Sequence, residues 1–174
     1  AIDTWGVDFG LIDKSGRLLE NPVHYRDSRT SGTSDYSKRF IDHNRLYEKT
    51  GIQIMKINTA FQLLSIIRDR AELLDRADKM LMMPDLFAYY LGAKPVAEMS
   101  IASTTQLFDA NTKTWSEECC ERLKIKHSLL PKIVTGGTVV GTLSDDICKE
   151  LDIKPAKIIA ACGHDTQSAM VAVP

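Results

Sequence analysis

The sequence lacks a surplus of either charge, and it lacks any long apolar run. Its 22 lysines and arginines nearly balance 23 aspartates and glutamates, giving a formal charge of -1. A near-neutral chain exerts no general attraction on polyanions, so nucleic acid and anionic membranes are not expected partners. No apolar stretch reaches the roughly 18–20 residues that span a bilayer, and no basic segment followed by an apolar one resembles a secretion signal. The sequence therefore predicts a cytoplasmic protein that does not enter a membrane.

Cysteine is also scarce. The chain has four cysteines, and none of them has the paired C-x-x-C spacing of a metal or redox motif. This number is too small for a disulfide scaffold in a chain of this length. We predict four free thiols and no metal site; the cysteines are Cys119, Cys120, Cys148 and Cys162.

The chain has the material for one hydrophobic core, with 174 residues of which 44% are hydrophobic. Its ends are unusual for a complete domain. Residues 1–5 read as a strand with no turn or cap before it, and residues 170–174 stop within an apolar helical pattern. We therefore expect the chain to be a piece of a longer polypeptide.

The hydrophobic pattern predicts alternating strands and helices. Alternation over residues 6–13, followed by turn residues at 14–16, predicts a β-hairpin. The apolar run 79–83 predicts a buried strand that leads into a helix at Pro84. The glycine-rich segment 134–141 is expected to be extended, and it matches neither a phosphate loop nor a G-x-G-x-x-G fingerprint. The other predictions are a short strand at 23–25, a buried strand at 157–161, and helices at 35–47 (capped by Ser34 or Asp35), 58–68, 73–77, 84–92, 100–107, 115–123, 144–151 and 167–173.

This order of elements predicts an α/β fold, with helices flanking a mixed sheet. In such folds, ligands bind beyond the ends of strands, where loops offer backbone donors. The segments 3–8 and 163–166 both fall at predicted strand ends. We therefore expect the functional residues to come from these two segments, near opposite ends of the chain.

The second segment, Gly-His-Asp-Thr at 163–166, offers a varied chemistry. Gly163 permits close approach to the backbone, His164 can donate or accept a proton, and Asp165 supplies a carboxylate. A carboxylate in this place can accept a proton from an attacking hydroxyl. Taken alone, the pattern is more typical of a helix cap at Asp165 and a hydrogen-bonded loop histidine at His164 than of a catalytic site.

Four motifs together carry a resemblance. The segments 3–9 (DTWGVDF), 25–30 (YRDSRT), 83–85 (MPD) and 163–166 (GHDT), in this order and spacing, resemble the FGGY family of carbohydrate kinases. The resemblance extends over essentially the whole chain and is greatest to the members that act on L-rhamnulose. It implies part of a ribonuclease-H-like, actin-like ATPase domain, and a kinase that uses ATP and Mg²⁺ to phosphorylate the 1-hydroxyl of L-rhamnulose.

The resemblance also implies roles for individual residues. Asp165 matches the family's catalytic base, which takes the proton of the attacking sugar hydroxyl. His164, Asp165 and Thr166 match sugar-contacting positions, and Gly6 matches a position whose backbone meets the sugar from the opposite side. A different ketose, such as fuculose or xylulose, is the alternative substrate.

Relative to the family pattern, residues 1–174 correspond to a partial N-terminal domain. The first phosphate-binding strands and the C-terminal domain are missing, and the hinge to that domain is expected near residues 170–174. We therefore expect most of the ATP site to lie outside this chain and the chain alone to be inactive. Exposed edges that would meet the missing parts predict self-association. A sugar-binding module or an interaction domain with the same fold are the non-kinase alternatives.

Several charged and aromatic residues near the motifs have open roles. Trp5 can stack beside a sugar or fill the core under the hairpin, and Asp8 can support the site or belong to the hairpin. Arg26, Asp27 and Arg29 can orient a ligand, although a local ion-pair network is the favoured interpretation. Asp85 is expected to support the N-terminus of the helix that it begins.

Overall fold

The computed structural model, which describes residues 2–174, has a largely buried helix at its centre. This helix spans Thr59–Asp69, and every residue from Thr59 to Ile66 is buried. Eight consecutive buried residues cover more than two turns of helix, so protein packs against all faces of this part of it. This central helix is α3. In chain order the elements are β1 (Phe9–Ile12), α1 (Thr33–Ser37), α2 (His43–Thr50), α3 (Thr59–Asp69), α4 (Ala71–Arg76), β2 (Lys79–Met82), α5 (Met83–Leu91), β3 (Val96–Glu98), α6 (Met99–Ala102), β4 (Phe108–Asp109), β5 (Thr114–Trp115), α7 (Glu117–Arg122), β6 (Lys132–Val134), β7 (Val139–Thr142), α8 (Asp145–Leu151), β8 (Lys157–Ile159), α9 (Asp165–Val171), and 3₁₀ turns at Ser28–Thr30, Ser103–Thr105 and His127–Leu129.

The predicted α/β class is confirmed, and the strands pair two by two. In the central pair, β1 and β2 are antiparallel with Phe9 opposite Met82. The pair β3–β6 is parallel, whereas β4–β5 and β7–β8 are antiparallel. The sheet is thus mixed in strand direction, and it is divided into four two-stranded pieces within the described residues.

The predicted hairpin after β1 is reduced to a turn. Asp13 N–H donates to the Arg17 carbonyl at 2.9 Å, and one isolated bridge joins Ile12 to Leu18. The ladder partner of β1 is β2, because the apolar Lys79–Met82 segment pairs with it over four residues. The predicted strand at 23–25 is wrong, since these residues form no strand and the Tyr25 N–H bonds to Asp8 Oδ2 at 3.2 Å instead.

The single helix predicted over 35–47 is also wrong, because two helices occupy this region. The carboxylate of Asp42 accepts from the N–H groups of Asn44 and Arg45, at 2.9 and 3.2 Å, and so begins α2. The predicted cap of the first helix is wrong as well, since Gly32 occupies the cap position and no side chain bonds there. Gly51 ends α2 with a left-handed φ of 70°.

The last third of the chain is less buried than predicted. The strand expected at 157–161 forms as β8, but Lys157 and Ile159 are exposed, so its predicted burial is wrong. The helix α9 contains no buried residue, and Val171 is 82% exposed. Among residues 2–174, no helix combines the length and apolar content that crossing a bilayer requires.

Candidate functional site

The two predicted functional segments meet in space although they lie about 160 residues apart in the chain. Thr4 and His164 form a parallel bridge, in which Thr4 N–H donates to the Gly163 carbonyl at 3.0 Å. The Asp165 N–H in turn donates to the Thr4 carbonyl at 2.9 Å. These two bonds fix the spacing between the segments and leave a cleft beside them.

All four predicted site residues line this cleft, which has a volume of about 370 Å³. We call residues 5–7 the inner wall and residues 164–166 the outer wall. Sequence reasoning missed part of the lining, which comes from loops and from the start of α3. The missed residues are Val7, Tyr25, Ile52, Gln53, Met55, Ile57, Asn58 and Thr104. The volume falls within the usual range for small-molecule sites.

Gly6 is required in the inner wall by close packing. A Cβ placed on Gly6 would lie 2.9 Å from Cγ2 of Thr104, which is closer than side-chain carbons approach one another. The backbone of Gly6 therefore faces the cleft without a side chain to obstruct it. The sugar-contacting role that the family resemblance implies for the Gly6 backbone stays a prediction.

Val7 adopts a backbone conformation that is rare for a β-branched residue. Its φ is 70°, and the Asp8 N–H donates to the Gly6 carbonyl at 2.9 Å across it, as in a classic γ-turn. Its own carbonyl accepts from Thr59 Oγ1 at 2.7 Å and Gln62 Nε2 at 3.1 Å. The buried start of α3 thus holds the strained turn in place.

Asp8 supports the inner wall from behind. Its side chain is buried, and Oδ2 accepts from the Trp5 indole N–H at 2.7 Å and from the Tyr25 N–H at 3.2 Å. Oδ1 accepts from Gln62 Nε2 at 3.1 Å. Trp5 is 43% exposed and lines the cleft, so it does not fill the core under the hairpin.

The predicted ion-pair network of Arg26, Asp27 and Arg29 is wrong. No salt bridge joins these three described residues to one another. Arg29 instead donates to Gln62 Oε1 at 2.6 Å, and burial lowers the pKa of its guanidinium. Asp27 Oδ1 accepts from the Arg29 N–H and caps the 3₁₀ turn. Arg29 therefore contacts the layer behind the inner wall, Arg26 and Asp27 are exposed, and none of the three lines the cleft.

The outer wall presents Asp165 to solvent. Its side chain is 50% exposed, and Oδ1 accepts from the Thr166 N–H at 2.6 Å and from the Thr166 hydroxyl at 3.2 Å. Nε2 of His164 lies 3.7 Å from the same oxygen. Asp165 does not act as the cap of α9, because His164 holds that position. The carboxylate is therefore accessible for chemistry.

Asp85 lies at the start of α5, and its side chain bonds to a residue outside that helix. Both of its carboxylate oxygens accept from the Glu98 N–H, at 3.2 and 3.3 Å. Burial, together with the nearby Glu98 charge, raises the pKa of Asp85 to about 7, although the hydrogen bond opposes this shift. A cavity of about 220 Å³ adjoins both side chains and Gly163.

The titratable groups do not assemble a metal centre in the part of the chain that the structure describes. Within residues 2–174, no group of three or more histidine, cysteine, aspartate or glutamate side chains is arranged to hold an ion. Asp165 is the one carboxylate among the described residues that line the cleft. The prediction of free thiols is confirmed, and burial raises the pKa of Cys120 to about 12.

Comparison with solved structures defines the fold first. The chain superposes with a TM-score of 0.83 on a gluconate kinase from Lactobacillus acidophilus, at 24% identity, over 93% of this chain and 33% of that chain. A glycerol kinase from Plasmodium falciparum with ADP gives a TM-score of 0.82 at 24% identity, over 98% of this chain and 34% of that chain. The chain therefore has the fold of about a third of each of these two kinases.

The family follows from the sequence comparison. Residues 1–172 match the N-terminal domain of the FGGY family of carbohydrate kinases, and the chain belongs to that family. It is 41% identical to a rhamnulokinase of Bacteroides thetaiotaomicron, over 99% of this chain and 36% of the relative. A rhamnulokinase of Enterococcus faecalis is also 41% identical, over 99% of this chain and 34% of the relative. The chain thus spans about a third of the length of these curated relatives.

Proposed function

We propose that this chain is the sugar-binding part of a kinase that transfers the γ-phosphate of ATP to the 1-hydroxyl of L-rhamnulose. The observation that carries the proposal is the convergence of Gly6, His164, Asp165 and Thr166 on one cleft. These residues match the family's catalytic and sugar-contacting positions, and the relatives at 41% identity are rhamnulokinases. The chain is more distant from the xylulose kinases of known structure, at 14–24% identity.

Asp165 is the base in this proposal. Thr166 and His164 both approach its Oδ1, so Oδ2 has no protein donor among the described residues and is available to the sugar hydroxyl. Asp165 would take the proton of the 1-hydroxyl as that oxygen forms its bond to phosphorus. ATP, when bound, supplies the phosphoryl group and leaves as ADP. Because phosphoryl transfer depends mostly on alignment, the cleft contributes by holding the hydroxyl in line.

The inner wall would hold the rest of the sugar. Gly6 leaves its backbone open to a hydroxyl, and Gln53 and Asn58 line the same cleft. The Trp5 ring, oriented by its bond to Asp8, offers an apolar face. A ketose has both hydroxyls and C–H faces, so this mixture of polar and aromatic groups suits it.

The nucleotide is proposed to bind elsewhere in a longer polypeptide. The cleft contains one carboxylate, Asp165, and no lysine or arginine lines it among the described residues. These residues do not fit a triphosphate with its Mg²⁺, so we derive no step through the metal. Residues 1–174 are accordingly proposed to be a partial N-terminal domain whose hinge begins near 170–174, and to be inactive alone.

The test uses the complete coding polypeptide and its Asp165→Asn variant. We expect ATP-dependent phosphorylation of L-rhamnulose by the wild type, and a loss of kcat of about 10²- to 10⁴-fold in the variant. The matched control is Asp75→Asn, a surface substitution far from the cleft, which should leave kcat unchanged. Equal turnover by Asp165→Asn would contradict the role of the base. A higher kcat/KM for fuculose or xylulose than for rhamnulose would instead correct the substrate.

The chain of 174 residues can be tested alone. Trp5 borders the cleft, while the other tryptophan, Trp115, is buried and donates to the Pro131 carbonyl at 2.6 Å. L-rhamnulose should therefore change the fluorescence of Trp5, and the change should persist in the Trp115→Phe variant. ATP turnover by this chain alone would contradict the proposal that the nucleotide site lies elsewhere.

A further inference from the structure

Glu98 connects the centre of the fold to the outer wall. It is the last residue of β3, it is 5% exposed, and its Oε2 accepts four hydrogen bonds. Two come from the N–H groups of Ser100 and Ile101, at 3.0 and 3.3 Å, and begin α6. A third comes from the Ser100 hydroxyl, and the fourth comes from the Gly163 N–H at 3.0 Å. One carboxylate oxygen thus joins two parts of the chain that are 65 residues apart.

Ser100 makes a second connection beside the first. Its hydroxyl oxygen accepts from the His164 N–H at 3.2 Å while its own proton is donated to Glu98. The consecutive N–H groups of Gly163 and His164, immediately before Asp165, are therefore both held by this pair. Gln167 adds a bond from its Nε2 to the Ser103 hydroxyl at 3.1 Å.

Apolar packing does little to hold Asp165 and the helix that it begins. The helix α9 contains no buried residue, and the Asp165 side chain is half exposed. Hydrogen bonds to an ionised carboxylate are shorter and stronger than neutral ones, and burial removes the competition from water. The position of Asp165 is therefore set mainly by hydrogen bonds, which are those of Gly163 and His164 to Glu98 and Ser100 and those of Gly163 and Asp165 to Thr4.

We propose that Glu98, acting with Ser100, is a positioning residue for Asp165. The proposal rests on the function proposed above, in which Asp165 is the base. Glu98 does not line the cleft and does not touch the sugar. It holds the backbone of Gly163, and through Ser100 that of His164, so that the Asp165 carboxylate meets the hydroxyl at the reacting distance.

Glu98 both caps the start of α6 and holds the Gly163 N–H, and shortening its side chain separates these two roles. Aspartate is a favoured cap residue, so Glu98→Asp keeps an acceptor for the N–H groups that begin α6. The shorter side chain does not reach the Gly163 N–H. We therefore expect Glu98→Asp to fold with an unchanged midpoint of urea unfolding, and to lower kcat about 10- to 100-fold, because small displacements of reacting groups carry costs of this order. The matched control is Glu121→Asp, at an exposed position of α7.

A separation of kinetic constants tests positioning against general damage. In the complete coding polypeptide, Glu98→Asp should change the dissociation constant for L-rhamnulose by less than about 3-fold, because the inner wall is untouched. Ser100→Ala should lower kcat in the same way, and the double variant should lose less than the product of the two effects, since both act on one pair. A kcat for Glu98→Asp within twofold of the wild type would overturn the proposal.

A second measurement does not depend on activity. Amide hydrogen exchange in the 174-residue chain reports the bonds of Gly163 and His164 individually. We expect Glu98→Asp to raise the exchange rates of these two amides at least 10-fold, while the amides of Ser100 and Ile101 stay protected. Unchanged exchange at Gly163 would overturn the positioning role. If the wild-type kinase does not act on L-rhamnulose, the proposed function fails, and the exchange result still decides this inference.

Discussion

The two walls of the cleft are held in different ways. The inner wall rests on α3, whose residues Thr59 and Gln62 are completely buried and bond to the Val7 carbonyl. The outer wall begins a helix with no buried residue and is held by hydrogen bonds to Thr4, Glu98 and Ser100. Packing against a core resists displacement in every direction, whereas a few hydrogen bonds fix only the groups that make them. One site therefore combines a rigid half with a half whose position depends on few contacts.

The apolar residues of the helices behind the two walls differ in burial in the same way. Phe61 in α3 has no exposed surface, while Met170 and Val171 in α9 are 70% and 82% exposed. Local stability generally increases with the number of buried apolar contacts, so the inner wall is expected to open only with the whole domain. The outer wall is expected to open in smaller steps, which suits a segment that carries the proposed base.

The largest expected effect comes from removing core packing behind the inner wall. Phe61→Ala should reduce the free energy of unfolding by about 3–5 kcal/mol, because it deletes a buried ring and leaves a cavity. Val171→Ala, in the exposed helix of the outer wall, should change it by less than about 0.5 kcal/mol. Urea unfolding followed by circular dichroism measures both. Similar losses for the two variants would contradict the contrast between the walls.

The pH dependence of stability probes the layer below the outer wall. The pKa of Asp85 is raised to about 7, so between its unfolded value near 4 and pH 7 the folded state keeps a proton that the unfolded state has lost. Stability contributed by this group is therefore full below pH 4 and declines as the pH rises to about 7. The change amounts to at most about 4 kcal/mol.

Asp85→Asn isolates this contribution, because asparagine keeps an acceptor for the Glu98 N–H but does not titrate. The difference in unfolding free energy between the variant and the wild type should increase in favour of the variant from pH 4 to pH 7.5. Carboxylates with lowered pKa values, such as Asp109 and Glu118, change in the opposite direction but cancel in this difference. A difference that does not vary with pH would show that Asp85 titrates normally.

The sequence predicts the inner wall better than the outer one, for physical reasons. A continuous apolar face identifies α3, and the run before Pro84 identifies β2, because these elements are buried whatever surrounds them. The same reasoning gave the wrong burial for β8, since an apolar strand pattern does not show whether a neighbouring layer exists to cover it. The split between α1 and α2 was missed although Asp42 is a typical cap residue.

For the site too, the sequence predicted local motifs but not the tertiary contacts between them. Motifs identified Gly6, His164, Asp165 and Thr166, all of which line the cleft. The hydrogen bond from Gly163 to Glu98 joins residues that are 65 positions apart, and no local sequence pattern predicts such a contact. The sequence did not predict the positive φ of Val7 either, because valine normally indicates ordinary strand geometry. Tertiary contacts decide both features.

The third prediction adds a methyl group to the inner wall. Gly6→Ala places a carbon 2.9 Å from Thr104 Cγ2, so the turn or Thr104 must move. We expect a loss of about 1–3 kcal/mol in stability and a clear loss of L-rhamnulose affinity, measured by Trp5 fluorescence. Gly136→Ala is the matched control, because a Cβ at Gly136 would lie 3.9 Å from the carbonyl carbon of Ala161, its nearest neighbour. Unaltered sugar binding by Gly6→Ala would indicate that the inner wall yields more easily than its packing suggests.

The smallest expected effect tests whether the inner wall stores strain. Val7→Gly removes a largely buried side chain, which alone costs about 1.5–3 kcal/mol. It also relieves a left-handed valine, a strain of about 1–3 kcal/mol, so the loss of stability should be smaller by about this amount than at an equally buried valine without strain. Val140→Gly is the matched control, since Val140 is similarly buried but has no positive φ, and it should lose at least about 2 kcal/mol. If the two variants lose equally, the γ-turn at Val7 is unstrained, and the rigidity of the inner wall comes from packing alone.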